Sequence, residues 1–435
     1  MLGKPAARHS AVALEGISAM KTMARLLKRN LAGRRGRRMA VRTTVVLPAV
    51  GAAIALAVPA LAAPAWVITP TVNPSPFKQA FSNQFNAVAA RSGTDAWAVG
   101  NFLGPNDDDG QIMLAEHWDG TAWSQVPTPN IVHFDEKLNA VSAAAANDVW
   151  AVGSINRTGF AHTDPLAAHW DGTSWTIAAT PATTGGAKSI LFGVANLGGG
   201  NAWAVGRSEG NRALAEHWDG SAWTIIPTPT PVAPAGTTFS GSTLTAISAR
   251  SANDIWAAGY FTALKGTNSD SFTLTMHWDG SAWTIVSSPN PAVPTNCGAS
   301  QRLNGIVEIS PNDAWAVGGT SDICNAQPAR PIAMHWNGTA WSVATLPGPD
   351  NAGSLASITA SSTASVWAAG TVGGTTSVLH WNGTSWAPET TPAGPDGQPV
   401  MTGISAVPGS ATEVWAVGTT LPSGGGYHTF AIHHP

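Results

Sequence analysis

Past residue 63 the chain alternates hydrophobic and polar positions over short runs, and the pattern recurs. In its second copy the unit reads LNAVSAAAANDVWAVG, then a variable stretch, then LAAHWDGTSWTIAATP. DVWAVG places Trp and Val on one side and small residues on the other, which is the period of a strand. NAVSA is short and built of small residues, suited to a crowded inner strand. LAAHW and SWTIAA flank an Asp-Gly or Asn-Gly pair, a strong hairpin signal. Each unit therefore predicts four strands, and regular helical periodicity is absent from this part of the chain.

The spacing of the units decides the architecture. The first motif Trp falls at 97, 150, 203, 256, 315, 367 and 415, and a His-Trp pair begins at 117, 169, 217, 277, 335 and 380. The seventh copy stops at His433-His434-Pro435 without its fourth strand. The missing piece stands at the other end, where Ala65-Trp66-Val67-Ile68-Thr69-Pro70 matches the AW-TIIPTP segment of the other copies. A linear array has no reason to divide one repeat between its termini, whereas a closed ring gains hydrogen bonds and loses an exposed edge. The expected fold is all-β: a seven-bladed β-propeller of four-stranded antiparallel blades, its ring closed by the N-terminal strand.

The recurring residues read as framework. Both faces of each sheet would be buried between neighbouring blades, with Trp filling the gap toward the rim and each indole N–H seeking an acceptor. His117, His169, His217, His277, His335, His380 and His433 occupy one place in seven blades, too far apart to meet on one metal ion. Hydrogen bonds within or across blades are expected for them instead. The Gly of each Asp-Gly or Asn-Gly pair supplies a positive φ. Prolines after the fourth strand blunt the rim, since Pro has no N–H to give another strand.

Charge divides the chain in two. Residues 1–62 hold 11 of the 22 Lys+Arg, followed by the apolar run Val45–Val58 and by Ala60-Leu61-Ala62, the order of a secretory signal. Residues 63–435 carry 11 basic and 24 acidic residues, a net of −13, which disfavours nucleic acid and anionic membranes. The expected organisation is an N-terminal extension and signal peptide over 1–62 and the propeller over 63–435. The mature protein is expected to be extracellular, monomeric and without a membrane span. No cofactor or metal is expected.

Variation concentrates in the segments after the second strand and between blades, which emerge on one face: Asn101–Gln111, Ser154–Pro165, Pro227–Ser240, Tyr260–Phe272 and Gly319–Pro331. Binding residues favour such loops on a rigid frame. Asp107, Asp108, Asp109 and Tyr260 are the candidate ligand contacts. Cys297 and Cys324 fall on the same face and are expected to form a disulfide in an oxidising compartment.

The repeat DVWAVG…HWDGTSW resembles secreted bacterial Trp-rich propeller repeats. It is also similar to kelch and tectonin-type repeats, the latter found in propeller lectins. That resemblance implies the propeller fold and favours a non-enzymatic module that binds an extracellular glycan, cell-wall polymer or protein. A propeller-type glycosidase or lyase and a display protein without ligand are the competing readings. No G-x-S-x-G nucleophile motif is present, and the arginines past residue 63 are scattered in sequence.

Overall fold

A computed structural model describes residues 65–75, 82–104, 110–131, 134–157, 162–181, 188–291, 298–322, 329–348 and 352–435. These form seven four-stranded antiparallel sheets. Blade one is typical. An inner strand Asn83–Ser92 pairs with Asp95–Leu103, then Gln111–Trp118, then the outer strand Trp123–Gln125. Blade seven is built from both ends of the repeat array: Val400–Ala406, Val414–Thr420 and His428–His434, with Val67–Ile68 as its outer strand. The closing register pairs Val67 with His433 and Ile68 with Ile432, and the Thr69 N–H donates to Ala431 O at 3.0 Å. The split-repeat expectation therefore holds.

Alternation along the second strand builds the interior. In blade one Trp97 and Val99 pack toward blade two, while Ala96 and Ala98 pack toward blade seven. The Trp of each second strand meets the third- and fourth-strand Trp of the next blade. Trp97 lies 5.1 Å from Trp170 and edge-on to Trp175 at 5.2 Å. At the last junction Trp66 replaces the outer Trp and His434 the other, both against Trp367. Such ring pairs add about 0.5–1.5 kcal/mol each beyond the area they bury.

The expectation that each indole N–H finds an acceptor is half right. Five of the third-strand Trp do, among them Trp118, whose Nε1 donates to Gly93 O, and Trp170, whose Nε1 donates to Ala146 O. The buried N–H groups of Trp97, Trp175, Trp203 and Trp283 have no acceptor. They sit where ring edge meets ring face, and the packing leaves no carbonyl there.

At one end of the blades the turns are tight and repeat closely. His117 Nε2 lies 2.9 Å from Asp95 Oδ1, His169 Nε2 3.0 Å from Asp148 Oδ1, and His335 Nε2 2.9 Å from Asp313 Oδ1. Each pair stays within its blade. Asp119 Oδ1 accepts the Thr121 N–H, the Thr121 hydroxyl and the Ala122 N–H, which hold its carboxyl down at about 2, and Gly120 turns at φ +95°. Asn337 and Asn382 organise the same turn in blades five and six.

The other end differs from expectation in one respect. Tyr260–Phe272 is a strand hairpin rather than a loop: Asp254–Lys265 pairs with Asn268–Trp278 residue by residue down to Lys265↔Asn268, turning at Gly266. Phe261 and Phe272 stack across it at 5.1 Å, a cross-strand contact that extends the ladder.

Candidate binding surface at the channel mouth

The residues that shape the mouth follow from one glycine per blade. A Cβ on the glycine closing WAVG would meet backbone: 1.9 Å from Gln84 O at Gly100, 1.8 Å from Lys137 O at Gly153, 1.9 Å from Arg302 O at Gly318. Only glycine lets the inner strand approach that closely. Beside it each inner strand carries a bulge, between Phe85 and Ala87 in blade one and between Leu303 and Gly305 in blade five. The extra residue sits in a central cavity of about 220 Å³ lined by Asn86, Asn139, Phe192, Thr245, Asn304 and Thr402. Five of these reach the next blade: Asn86 Nδ2 donates to Leu138 O (2.7 Å), Asn139 to Leu191 O, Thr245 to Leu303 O, Asn304 to Leu355 O, and Thr402 to Phe85 O across the closing seam. The bulge thus turns polar side chains into a clasp between blades.

Beyond the bulge one more tier of paired residues rims the mouth. The pairs are Gln84↔Asn101, Lys137↔Ser154, Ile190↔Arg207, Thr243↔Tyr260, Arg302↔Gly319, Ser354↔Thr371 and Val400↔Thr419. Three of the fourteen are cations and none is an acid. Burial pulls the Lys137 ammonium below its ordinary pKa, and Arg207 Nε has no partner. The Arg302 guanidinium lies 4.3 Å above the Tyr260 ring. By contrast Arg91 and Arg250, at the turn end, are paired with Asp95 and Asp254 at 2.8 and 2.7 Å.

Two further cavities open at this tier. One, about 180 Å³ at the seam of blades seven and one, is lined by Gln84, Asn86, Gln398, Thr402 and Thr419 with Phe85, Val400, Leu421 and Tyr427. The other, about 360 Å³ at the seam of blades five and six, is lined by Ser300, Arg302, Asn304, Gly319, Thr320, Ser321, Ala329 and Ser354. Nearby, His428 Nδ1 lies 2.8 Å from Asp396 Oδ2.

Of the residues expected from sequence, Tyr260 takes part in this tier, on a strand and beneath Arg302. Asp107, Asp108, Asp109, Cys297 and Cys324 lie outside the described residues. Lys137, Arg207 and Arg302 were scattered in sequence yet stand at one level of the fold. The signal that could have found Arg207 is simple: it follows the WAVG glycine directly, as Tyr260 follows the corresponding glycine of blade four. Among the described residues no His, Cys, Asp or Glu group is arranged to hold a metal.

Fold and surface together define a seven-bladed propeller with a variable, polar channel mouth. No family model and no curated protein matches the chain. Solved structures that resemble it include an ulvan lyase from a polysaccharide lyase family, at TM-score 0.50 and 9% identity over 80% of this chain and 94% of that one. Others are YCF48 with a bound peptide, at TM-score 0.49 and 13% identity over 86% and 99%, and a six-bladed fucose-recognising lectin of Aleuria aurantia, at TM-score 0.41 and 14% identity over 66% and 88%. Likeness at these identities shows the fold alone.

Proposed function

We propose that this protein is a non-enzymatic carbohydrate-binding propeller that works outside the cell and engages a glycan or cell-wall polymer through the channel mouth. The observation that carries the reading is the two-sided chemistry of the cavity between blades seven and one. The amides of Gln84 and Gln398 and the hydroxyls of Thr402 and Thr419 face a site floored by Val400, Leu421, Tyr427 and Phe85. Sugars present the same two sides, a hydroxyl edge and a C–H face. Export rests on the basic and apolar runs that precede residue 63. The likeness of its fold to that of an ulvan lyase is in keeping with a carbohydrate ligand.

The test is binding of the full chain to a glycan and cell-wall polymer array, with Val400→Asp as the probe of the cavity. Val400 is 58% exposed, so the substitution places a charge on the apolar floor without disturbing the core. Saturable binding that drops at least about tenfold in the variant, at an unchanged melting temperature, is expected. A blank array with folded protein sinks the reading. A second reading, polysaccharide cleavage, is favoured by the His428–Asp396 pair, which leaves His428 Nε2 free on the same face. Release of reducing ends from a bound polymer, abolished by His428→Ala, would establish it.

A further inference from the structure

The cavity between blades five and six has a different chemistry from its neighbour at the closing seam. Its lining brings one guanidinium, four hydroxyls and one amide together: Arg302, Ser300, Thr320, Ser321, Ser354 and Asn304. The Asn304 amide is given to Ser354 Oγ and Leu355 O, and the Ser354 hydroxyl to Leu355 O. The donors left for a ligand are the Arg302 guanidinium and the hydroxyls of Ser300, Thr320 and Ser321, and the lining holds no carboxylate. Gly319 opens the space. The other six blades carry Asn101, Ser154, Arg207, Tyr260, Thr371 or Thr419 at this place, and a Cβ on Gly319 would stand 2.6 Å from Ser354 Oγ.

Arg302 is prepared for a ligand rather than for a structural ion pair. Its guanidinium is stacked on Tyr260 from the adjacent blade, which fixes the plane of the fork and leaves its edge free. No carboxylate among the described residues pairs with it. Acids close to it in sequence or on the paired strands are engaged elsewhere: Glu308 lies 3.6 Å from Arg250 Nε, Asp313 pairs with His335 at 2.9 Å, and Asp270 accepts the Ala299 N–H at 2.8 Å. The same tier carries Lys137 and Arg207, also without a carboxylate partner, on a propeller whose net charge is −13. A protein with that excess of acid has carboxylates to spare, yet among the described residues three cations of one tier lack them.

We propose that the Arg302 cavity binds a carboxylate or sulfate group carried on a glycan, with Arg302 as the charged, two-pronged donor and the surrounding hydroxyls completing the shell. The proposal rests on the carbohydrate reading above and narrows it to anionic polymers. Lys137 and Arg207 extend the attraction along a chain that crosses the mouth, so binding weakens as salt rises.

The experiment measures binding of the full chain to dextran, dextran sulfate and polygalacturonate at two salt concentrations. One or both anionic polymers should bind at least about tenfold tighter than dextran, and which one does so separates sulfate from carboxylate. Arg302→Gln should lose at least about tenfold of that affinity, the scale of a charge-assisted pair, and Arg302→Lys should fall between. Lys265→Gln removes an exposed cation from the hairpin tip of the same face and should change nothing. Equal losses in Lys265→Gln and Arg302→Gln would overturn the pocket in favour of diffuse charge. Binding to dextran as tight as to the charged polymers would overturn anion recognition and leave the carbohydrate reading standing. Failure of all three polymers to bind would count against both.

Discussion

The two ends of the same blades obey different rules. At the turn end, most blades repeat one geometry: a His against the residue that opens the second strand (an Asp in blades one, two, four and five, Asn201 in blade three, Ser365 in blade six), a Trp N–H on the preceding turn, an Asx-Gly turn held by its own side chain. At the mouth end, the seven tier pairs share almost nothing in residue type. Arg91 and Arg250 at the turn end are matched to acids, whereas Arg207 and Arg302 of the tier have none among the described residues. The difference is set by packing. Below the bulge, the second-strand side chains lie between two blades, and a change in one blade must be answered by the next. Above it, tier residues such as Asn101, Ser154, Thr243 and Thr419 are still buried, yet their types differ from blade to blade.

The largest effect expected on the frame comes from its closure. Trp66→Ala removes a ring packed edge-on to Trp367 at 5.9 Å, in a strand held to blade seven by only two residue pairs. A buried Trp→Ala costs about 3–5 kcal/mol, and here it also loosens the strand that protects an edge. A melting curve within 2 °C of the parent, on an order-of-magnitude scale of several degrees per kcal/mol, would show that the ring does not depend on its N-terminal strand.

Next in size is a contrast between adjacent residues. Gly318→Ala drives a Cβ to 1.9 Å from Arg302 O, which is backbone and cannot step aside. Gly319→Ala meets the Ser354 side chain, Oγ at 2.6 Å and Cβ at 2.9 Å, so the hydroxyl must turn and the strand give by a few tenths of an ångström, but no backbone carbonyl is struck. The first should cost about 3 kcal/mol, the second about 1 kcal/mol or less while narrowing the Arg302 cavity. Equal denaturant midpoints for the two variants would erase the boundary drawn here between frame and site.

Much of the frame was legible because its causes are periodic. The Trp positions, the Asx-Gly hairpins and the divided seventh repeat are local signals multiplied by seven, and seven copies average away accident. The mouth was not legible for the opposite reason. A single glycine per repeat looks like a strand end until its neighbour's carbonyl is placed 1.8 Å from its missing Cβ, as at Gly153. Without the bulge, Lys137, Arg207 and Arg302 have no common level. Tyr260–Phe272 was misread as loop because the hairpin YFTALKGTNSDSF mixes polar and apolar residues at its tip, where no second blade demands strict alternation.

A third prediction concerns a departure from the uniform end. Third strands place an apolar or small residue before the His, such as Met276, Met334 or Leu379, but blades one and three place Glu116 and Glu216 there, both buried. Glu116 Oε2 accepts the Val72 N–H at 3.1 Å. Counting from Trp66 and Trp175, the residue in Val72's place before blade three is Pro181. Thr71 and Thr180, one residue earlier, both donate to a third-strand carbonyl, which fixes that register. Proline has no N–H, and both Glu216 oxygens are left without partners.

Burial raises each carboxyl from 4.5 to about 8. The protonated form is the one the fold accepts, so the contribution is whole below pH 4.5. It shrinks as pH rises toward 8, because the unfolded chain ionises while the folded one must keep its proton. The slope approaches about 1.4 kcal/mol per pH unit for each such group. Glu216→Met should stabilise the protein more at pH 8 than at pH 5. An equal gain at both values would mean that Glu216 finds a partner in solution.

The smallest effect tests whether the clasp above the core belongs to the frame or to the site. Asn139 Nδ2 donates to Leu191 O at 2.8 Å, joining blades two and three, whereas Ala356 stands at the equivalent place in blade six and offers nothing to blade seven. Asn139→Ala should cost about 1 kcal/mol, the net value of one such bond plus the carbonyl left unmet. Ala356→Asn should return a smaller gain, since the new side chain must be ordered to reach Met401 O. If the clasp serves only stability, neither change alters ligand binding at the mouth. If Asn139→Ala weakens polymer binding while stability moves by less than about 0.5 kcal/mol, the bulge residues are part of the binding surface, and the boundary between the two regimes lies one tier deeper than the paired rim.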